Sequence, residues 1–264
     1  MPIRMEHHIS KDNIGKEKIM KPLNNMPFMP SKKKAVASSE SLKAFYKDLH
    51  DFYLSLPYDK NKVMVEETRY RRIANLAMLF ARLKGTKALH EERIYNDQTL
   101  IYTANHIGSF DQFYLTTVLE STPIHYLVKK KVTKWIIRWR FLYKPTGVVI
   151  IDTDSASSWK KAKEKLIQYL LNGSSVFIFA EGSRRGEDNI GKFSSGLAQI
   201  AQESGVKVCT LAPKNTYKLF SRNPIVCVGK TFSIGPREDI KEATECIKSG
   251  VLRAYNEILT YESG

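Results

Sequence analysis

Two side chains in the run Asn105-His106-Ile107-Gly108-Ser109-Phe110-Asp111 could move a proton: His106 and Asp111. A histidine can take a proton from a hydroxyl near neutral pH, and a carboxylate on its other ring nitrogen fixes the tautomer. No Gly-x-Ser-x-Gly elbow precedes the pair, and no metal-ligand spacing surrounds it. The chemistry that suits it is activation of a substrate hydroxyl, with no protein nucleophile and no metal. By spacing alone, the same two residues also read as a surface histidine and a first-turn aspartate on a helix dipole.

A second polar constellation weighs against that blander reading. In Phe177-Ile178-Phe179-Ala180-Glu181-Gly182-Ser183-Arg184-Arg185, an apolar strand stops abruptly at a carboxylate, a glycine, a hydroxyl and two arginines. In open α/β sheets, ligands bind beyond the carboxyl ends of the strands. Arginine offers a planar fork to a phosphate. A solvated loop accounts for the charges, but not for two strands that both end in reactive groups.

The elements that must position these groups follow from hydrophobic period. Leu42, Phe45, Tyr46, Leu49, Tyr53 and Leu56 recur at helical spacing until Pro57. A second amphipathic stretch places Ile73, Leu76, Ala77, Phe80 and Leu83 on one face, flanked by Arg69, Arg71, Arg72, Arg82 and Lys84. This face reads as core-packed, or alternatively as a surface that lies against a bilayer. From residue 99, short apolar runs at 99–104, 124–128, 148–151, 176–180, 206–211 and 225–228 alternate with helical stretches at 112–119, 157–171 and 195–203. A last helix spans roughly 240–259. The expected fold is α/β: a mixed, mostly parallel central sheet flanked by helices, with an N-terminal helical pair. Gly108 is expected to give the turn after the histidine, and Ser109 to cap the following helix. The predicted organisation is a flexible basic tail over 1–38, a helical segment over 39–98 whose apolar face packs on the core or faces a membrane, and a catalytic α/β domain over 99–264.

Composition narrows the partners. The 42% hydrophobic content supports a core and excludes wholesale disorder. Three scattered cysteines, Cys209, Cys227 and Cys246, suit a reducing compartment better than a disulfide framework. The net charge of +15 calls for an anionic partner. No apolar run approaches the roughly 20 residues of a spanning helix, and no signal-type apolar core follows the opening residues. Membrane contact is therefore expected to be peripheral, on the cytoplasmic face. Residues 129–144 hold seven Lys or Arg, no acid, and Trp135, Trp139, Phe141 and Tyr143. As a helix, this segment aligns Lys130, Lys134 and Arg138 beside a stripe of Trp135, Trp139 and Leu142. That suits an anionic bilayer, or equally a core-packed helix with a solvated basic face. A nucleic-acid partner ranks lower, because no nucleic-acid fold motif accompanies the basic residues.

Taken in order, the blocks resemble the glycerolipid acyltransferase family, whose type member acylates 1-acylglycerol-3-phosphate. The likeness covers about residues 100–235, half of the chain: His106-x4-Asp111, the basic Lys129-Lys130-Lys131, Phe179-x-Glu181-Gly182-x-Arg184, Phe193-x-x-Gly196, and the strands at 206–211 and 228–230. The resemblance implies His106 as general base and Asp111 as its orienting partner. It implies Glu181, Gly182 and Arg184 as holding the phosphorylated acceptor; Ser183 in the same turn, and Arg185, Lys129 and Lys130 as nearby charges, are further candidates to bind the substrate. The co-substrate would be the thioester of an acyl carrier protein or coenzyme A, with no bound cofactor or metal. The acceptor would be a lysophosphatidic acid-type lipid, with phospholipid biosynthesis as the setting. Three positions depart from the family pattern. Thr153 stands where a phosphate-contacting arginine is usual, while Ala180 and Thr210 stand where prolines are usual. Thr153 leaves other lysolipid, amino-acid-lipid or sugar-lipid acceptors open. A non-catalytic module binding membrane or nucleic acid is the other alternative.

Overall fold

Helices α1 (Ser39–Ser55) and α2 (Lys60–Leu83) open the described part of the chain. The computed structural model describes residues 39–94, 98–119, 124–135, 147–186 and 190–263. The tail expected over 1–38, with its His7-His8 pair, lies outside them, as does most of the Trp and Lys stripe expected beyond residue 132.

Seven strands follow: β1 (Lys87–Leu89), β2 (Ile101–Ala104), β3 (Ile124–Lys129), β4 (Val149–Ile151), β5 (Ser175–Phe177), β6 (Val208–Lys214) and β7 (Ile225–Phe232). Between and after them, five helices are described: α3 (Asp111–Leu115), α4 (Lys130–Trp135), α5 (Ala156–Leu171), α6 (Gly196–Ser204) and α7 (Ile240–Ser263). The strands form one sheet in the order β1-β7-β6-β2-β5-β3-β4. All neighbours pair in parallel except β6 with β7. The sheet is thus mixed and mostly parallel, as the alternation of apolar runs and helical stretches predicts.

The inner strands are largely apolar because helices cover both faces of the sheet. On one face, Tyr70, Ala74 and Ala81 of α2 and Tyr114 and Leu115 of α3 pack over Tyr102, Ala104, Phe177, Cys209 and Leu211. On the other, Ala254, Tyr255 and Ile258 of α7 cover Ala212, Ile225 and Cys227. Helix α5 lies against β3, β4 and β5, with α6 between it and α7. Local capping sets the helix starts. The Asp59 carboxylate accepts from Lys62 N at 2.9 Å, and the Ser155 hydroxyl accepts from Ser158 N at 3.3 Å.

Two sequence expectations change. Strand β1 belongs to the sheet, although nothing in Lys87-Ala88-Leu89 marks a strand; one exposed and two half-buried residues carry no period, and the ladder to β7 orders them. In α2 the buried face is Val63, Tyr70, Ala74 and Ala81, not the Leu76 and Leu83 face. Leu76, Leu79 and Leu83 are 70%, 55% and 77% exposed, so this apolar ridge points outward.

Candidate active site

Strands β2, β3, β4, β5 and β6 run in the same direction, so their carboxyl ends share one edge of the sheet. The loop after β2 brings His106 to that edge, and α3 begins with Asp111. His106 Nδ1 lies 2.8 Å from Asp111 Oδ2. Asp111 is fully buried, while the His106 side chain keeps 18% exposure. The aspartate also accepts from Ile107 N at 2.7 Å, from Gly108 N at 2.9 and 3.0 Å, and from Thr216 Oγ1 at 2.7 Å. An oxygen surrounded by donors acts only as an acceptor, so in a neutral imidazole this bond places the proton on Nδ1 and leaves the Nε2 lone pair outside it. The imidazole stacks on Phe179, with ring centres 4.0 Å apart and planes at 16°, which fixes its tilt.

Ser109 does not cap α3. The residue before the helix is Phe110, which makes no side-chain cap. Ser109 Oγ instead accepts from Arg184 Nη1 at 2.8 Å, joining the histidine loop to the arginine turn. Gly108 serves close approach rather than a turn conformation of its own. A Cβ there would lie 2.8 Å from Tyr217 Cα and 2.8 Å from Tyr217 O.

The Glu181 side chain is wholly buried. Its Oε1 accepts from His106 N at 2.9 Å and its Oε2 from Gly191 N at 3.0 Å. Arg185 N donates to His106 O at 2.8 Å, and Gly186 N to Ile107 O at 3.3 Å. The segment after β5 is therefore latched to the histidine loop through its backbone as well as through Glu181. The Arg185 side chain is 45% exposed, with Nε 4.0 Å from Glu181 Oε2. Gly191 leaves room for this carboxylate, since a Cβ there would come within 3.1 Å of Glu181 Oε2.

The strand order also brings β3 beside β5, and with it Lys129. Its ammonium would lie 3.4 Å from a Cβ on Gly182, so it faces the Glu-Gly-Ser-Arg turn, where Ser183 is exposed. Lys130 is engaged elsewhere: its Nζ donates to Asp152 Oδ2 at 2.9 Å, and that bond holds the Asp152 carboxyl below the usual carboxylate range. Lys131 pairs with Asp154 at 3.1 Å. Thr153 lies in the exposed turn between these two acids, its hydroxyl 3.4 Å from Asp154 Oδ1.

Thr216 and Tyr217 were not legible as site residues. They lie just beyond β6, about a hundred residues from Asp111 in sequence, and only the β2–β6 pairing brings them together. Among the described residues, one trio could hold a metal: His90, Cys227 and Glu257. Cys227 lies on β7, His90 just beyond β1 and Glu257 on α7, and Arg93 already donates to Glu257 at 2.8 Å. Burial pushes the Cys227 thiol up to about 12, with the charge of Glu257 adding to the effect. The trio stands as an ion-paired cluster.

Residues 87–214 match the family model described as Acyltransferase. Over 160 residues the chain is 26% identical to a probable 1-acyl-sn-glycerol-3-phosphate acyltransferase of Mycoplasma genitalium, covering 59% of this chain and 58% of that protein. Over 164 residues it is 24% identical to the 1-acyl-sn-glycerol-3-phosphate acyltransferase of Haemophilus influenzae, covering 59% and 68%. The crystal structure of the 1-acyl-sn-glycerophosphate acyltransferase PlsC of Thermotoga maritima shares the fold, with a TM-score of 0.52 over 79% of this chain and 89% of that one at 18% identity. The chain spans little more than half the length of the two mycoplasma relatives, 58% and 56%. The family match runs from β1 through β6, so both loops that carry the His-Asp pair and the Glu-Gly-Ser-Arg turn lie within the part of the chain that is similar to acyltransferases.

Proposed function

We propose that this protein transfers a fatty acyl group from a thioester donor to the hydroxyl of a lysophosphatidic acid-type acceptor. The observation that carries the reading is the His106–Asp111 pair: a half-open imidazole whose Nδ1 is held by a buried, four-donor carboxylate and whose Nε2 lies outside that bond. His106 Nε2 takes the hydroxyl proton as the oxygen attacks the thioester carbonyl. Collapse of the tetrahedral adduct expels the thiolate of the carrier, an acyl carrier protein or coenzyme A, which takes up that proton. An ester and a free thiol result, with no cofactor and no metal in any step. Such base catalysis supplies about a hundred- to ten-thousand-fold, and positioning of the two substrates supplies much of the rest.

Among the cations at this edge, Lys129, Arg184 and Arg185 flank the Glu-Gly-Ser-Arg turn and are assigned to the acceptor's phosphate. Glu181 is assigned a positioning role, because its oxygens are engaged by the amides of His106 and Gly191. A second acceptor class stays in view on one observation. Thr153 has no charge, and the acids on either side of it, Asp152 and Asp154, are paired with Lys130 and Lys131. The same chemistry on another lysolipid, an amino-acid lipid or a sugar lipid follows if the acceptor carries no phosphate to be bound there.

The outward ridge of Leu76, Leu79 and Leu83, with Arg72, Arg82 and Lys84 also exposed, supports peripheral binding to an anionic membrane on its cytoplasmic face. No described helix is long and apolar enough to cross a membrane. Residues 39–98 would then supply the membrane-facing part and residues 99–264 the catalytic part. The deciding experiment incubates the purified protein with acyl donors and a panel of lysolipids, with products identified by mass spectrometry. Acylated product from the wild type and none from a folded His106→Ala variant is the expected result; equal product from both refutes the assignment.

A further inference from the structure

The loop between β6 and β7 carries cations that the proposed reaction does not yet use. An open pocket there is lined by Gly186, Asn215, Tyr217, Lys218, Ser221 and Arg222. Its lining holds no acid, and Lys218 and Arg222 are both exposed, with no ion-pair partner among the described residues. Gly186 comes from the arginine turn, so the pocket opens directly beside the loop that holds His106.

This loop is a built structure. Asn215 and Asn223 take left-handed backbone, φ 57° and 47°, which asparagine tolerates better than most residues. The Asn215 side chain closes the loop by donating to Asn223 O at 3.2 Å. The Ser221 hydroxyl accepts from Lys218 N at 3.0 Å, shaping the turn between the two cations. Tyr114 OH, from α3, donates to Leu219 O at 2.6 Å, while Thr216 is bonded to Asp111. The loop backbone that carries the two cations is therefore held by contacts shared with the His106–Asp111 pair, so it needs little ordering when an anion binds.

We infer that this loop is an anion subsite that binds a phosphate ester of one of the two substrates, on the flank of His106 opposite Lys129. The strand order places β6 on one side of β2, and β5 and β3 on the other. Lys129 and the β5 turn thus offer positive charge on one side of the histidine, and Lys218 and Arg222 on the other. The inference rests on the acyl-transfer reading, in which both substrates bring phosphate: the lysolipid in its headgroup, the thioester carrier on its pantetheine arm. Two separated anions need two separated cationic sites.

The test is the Lys218→Gln, Arg222→Gln double variant, beside Arg253→Gln, which removes an exposed charge from α7. Acceptor is varied at saturating donor, then donor at saturating acceptor. The expected result is a KM raised by about tenfold or more for one substrate, as loss of charge-assisted bonds to a phosphate implies, with kcat within about twofold. The substrate affected identifies the source of the phosphate. KM values for both substrates at wild-type level overturn the inference while leaving the acyl-transfer reading standing. If the wild type acylates no lysolipid, that reading fails, and pyrophosphate binding decides the subsite alone. Pyrophosphate titrated into wild type should shift the backbone amides of Gly186, Asn215 and Ser221, and the double variant should lose the shift. Amides that do not move, or that move equally in both proteins, overturn it.

Discussion

Replacing Glu181 by glutamine separates the two roles this residue could have. In the structure its oxygens accept from His106 N at 2.9 Å and Gly191 N at 3.0 Å inside a fully buried side chain. Glutamine keeps the shape but has only one acceptor oxygen; its amide nitrogen is a donor and would face a backbone N–H. One charge-assisted bond is lost outright, one is weakened, and a buried N–H is left unsatisfied. At about 1–3 kcal/mol for an unsatisfied buried group and about 1.5–3 for a bond to a charge, the overlapping losses amount to about 2–4 kcal/mol. For a domain of this size that lowers the melting temperature by roughly 4–16 °C. The latch also sets the His106 backbone, and displacement of a catalytic group by about 1 Å costs on the order of a hundredfold. Glu181→Gln is thus expected to lower both the melting temperature, by differential scanning fluorimetry, and kcat, by acyl-transfer assay, with little change in acceptor KM. An unchanged melting temperature together with a raised KM would mean that Glu181 contacts the acceptor, and the positioning argument would fall.

The remaining expectations concern the catalytic pair and one distal network. Asp111→Asn presents an amide to His106 Nδ1 and disturbs the tautomer, so kcat should fall by about a hundred- to ten-thousand-fold in steady-state assays; a loss under about tenfold would remove the orienting role. Thr216→Val deletes the hydroxyl that donates to Asp111 at 2.7 Å in a fully buried setting, and should cost about 1–3 kcal/mol by chemical denaturation, with a drop in kcat that Thr216→Ser largely restores. The Glu67 carboxyl is held below its usual range by His125, whose Nε2 lies 3.5 Å away, aided by the Ser174 hydroxyl at 2.5 Å. A depressed carboxyl contributes stability that is present above the ordinary value of 4.5 and is lost as the pH falls through the folded value. Melting curves at about pH 7 and about pH 3.5 should therefore show a smaller acid-induced loss in Glu67→Gln than in wild type; equal losses would refute the assignment.

What the amino-acid sequence determined was local. Apolar runs of β-branched and aromatic residues marked six of the seven strands, because a sheet covered on both faces is largely apolar along its strands. The spacing of His106 and Asp111 allowed a proton-moving pair, and the abrupt polar end of β5 marked the second loop. What it left open required partners distant in the chain. Strand β1 is three residues long and is ordered by its ladder to β7. The outward ridge of α2 carries as much hydrophobic period as its buried face, and period alone cannot say which face meets the sheet. Glu181 reads as a substrate ligand from its loop, yet its burial against His106 N and Gly191 N depends on three loops meeting at one sheet edge. Thr216 carries no local mark at all. It holds Asp111 because parallel pairing of β2 with β6 sets the two strand ends side by side, a register that no single segment encodes.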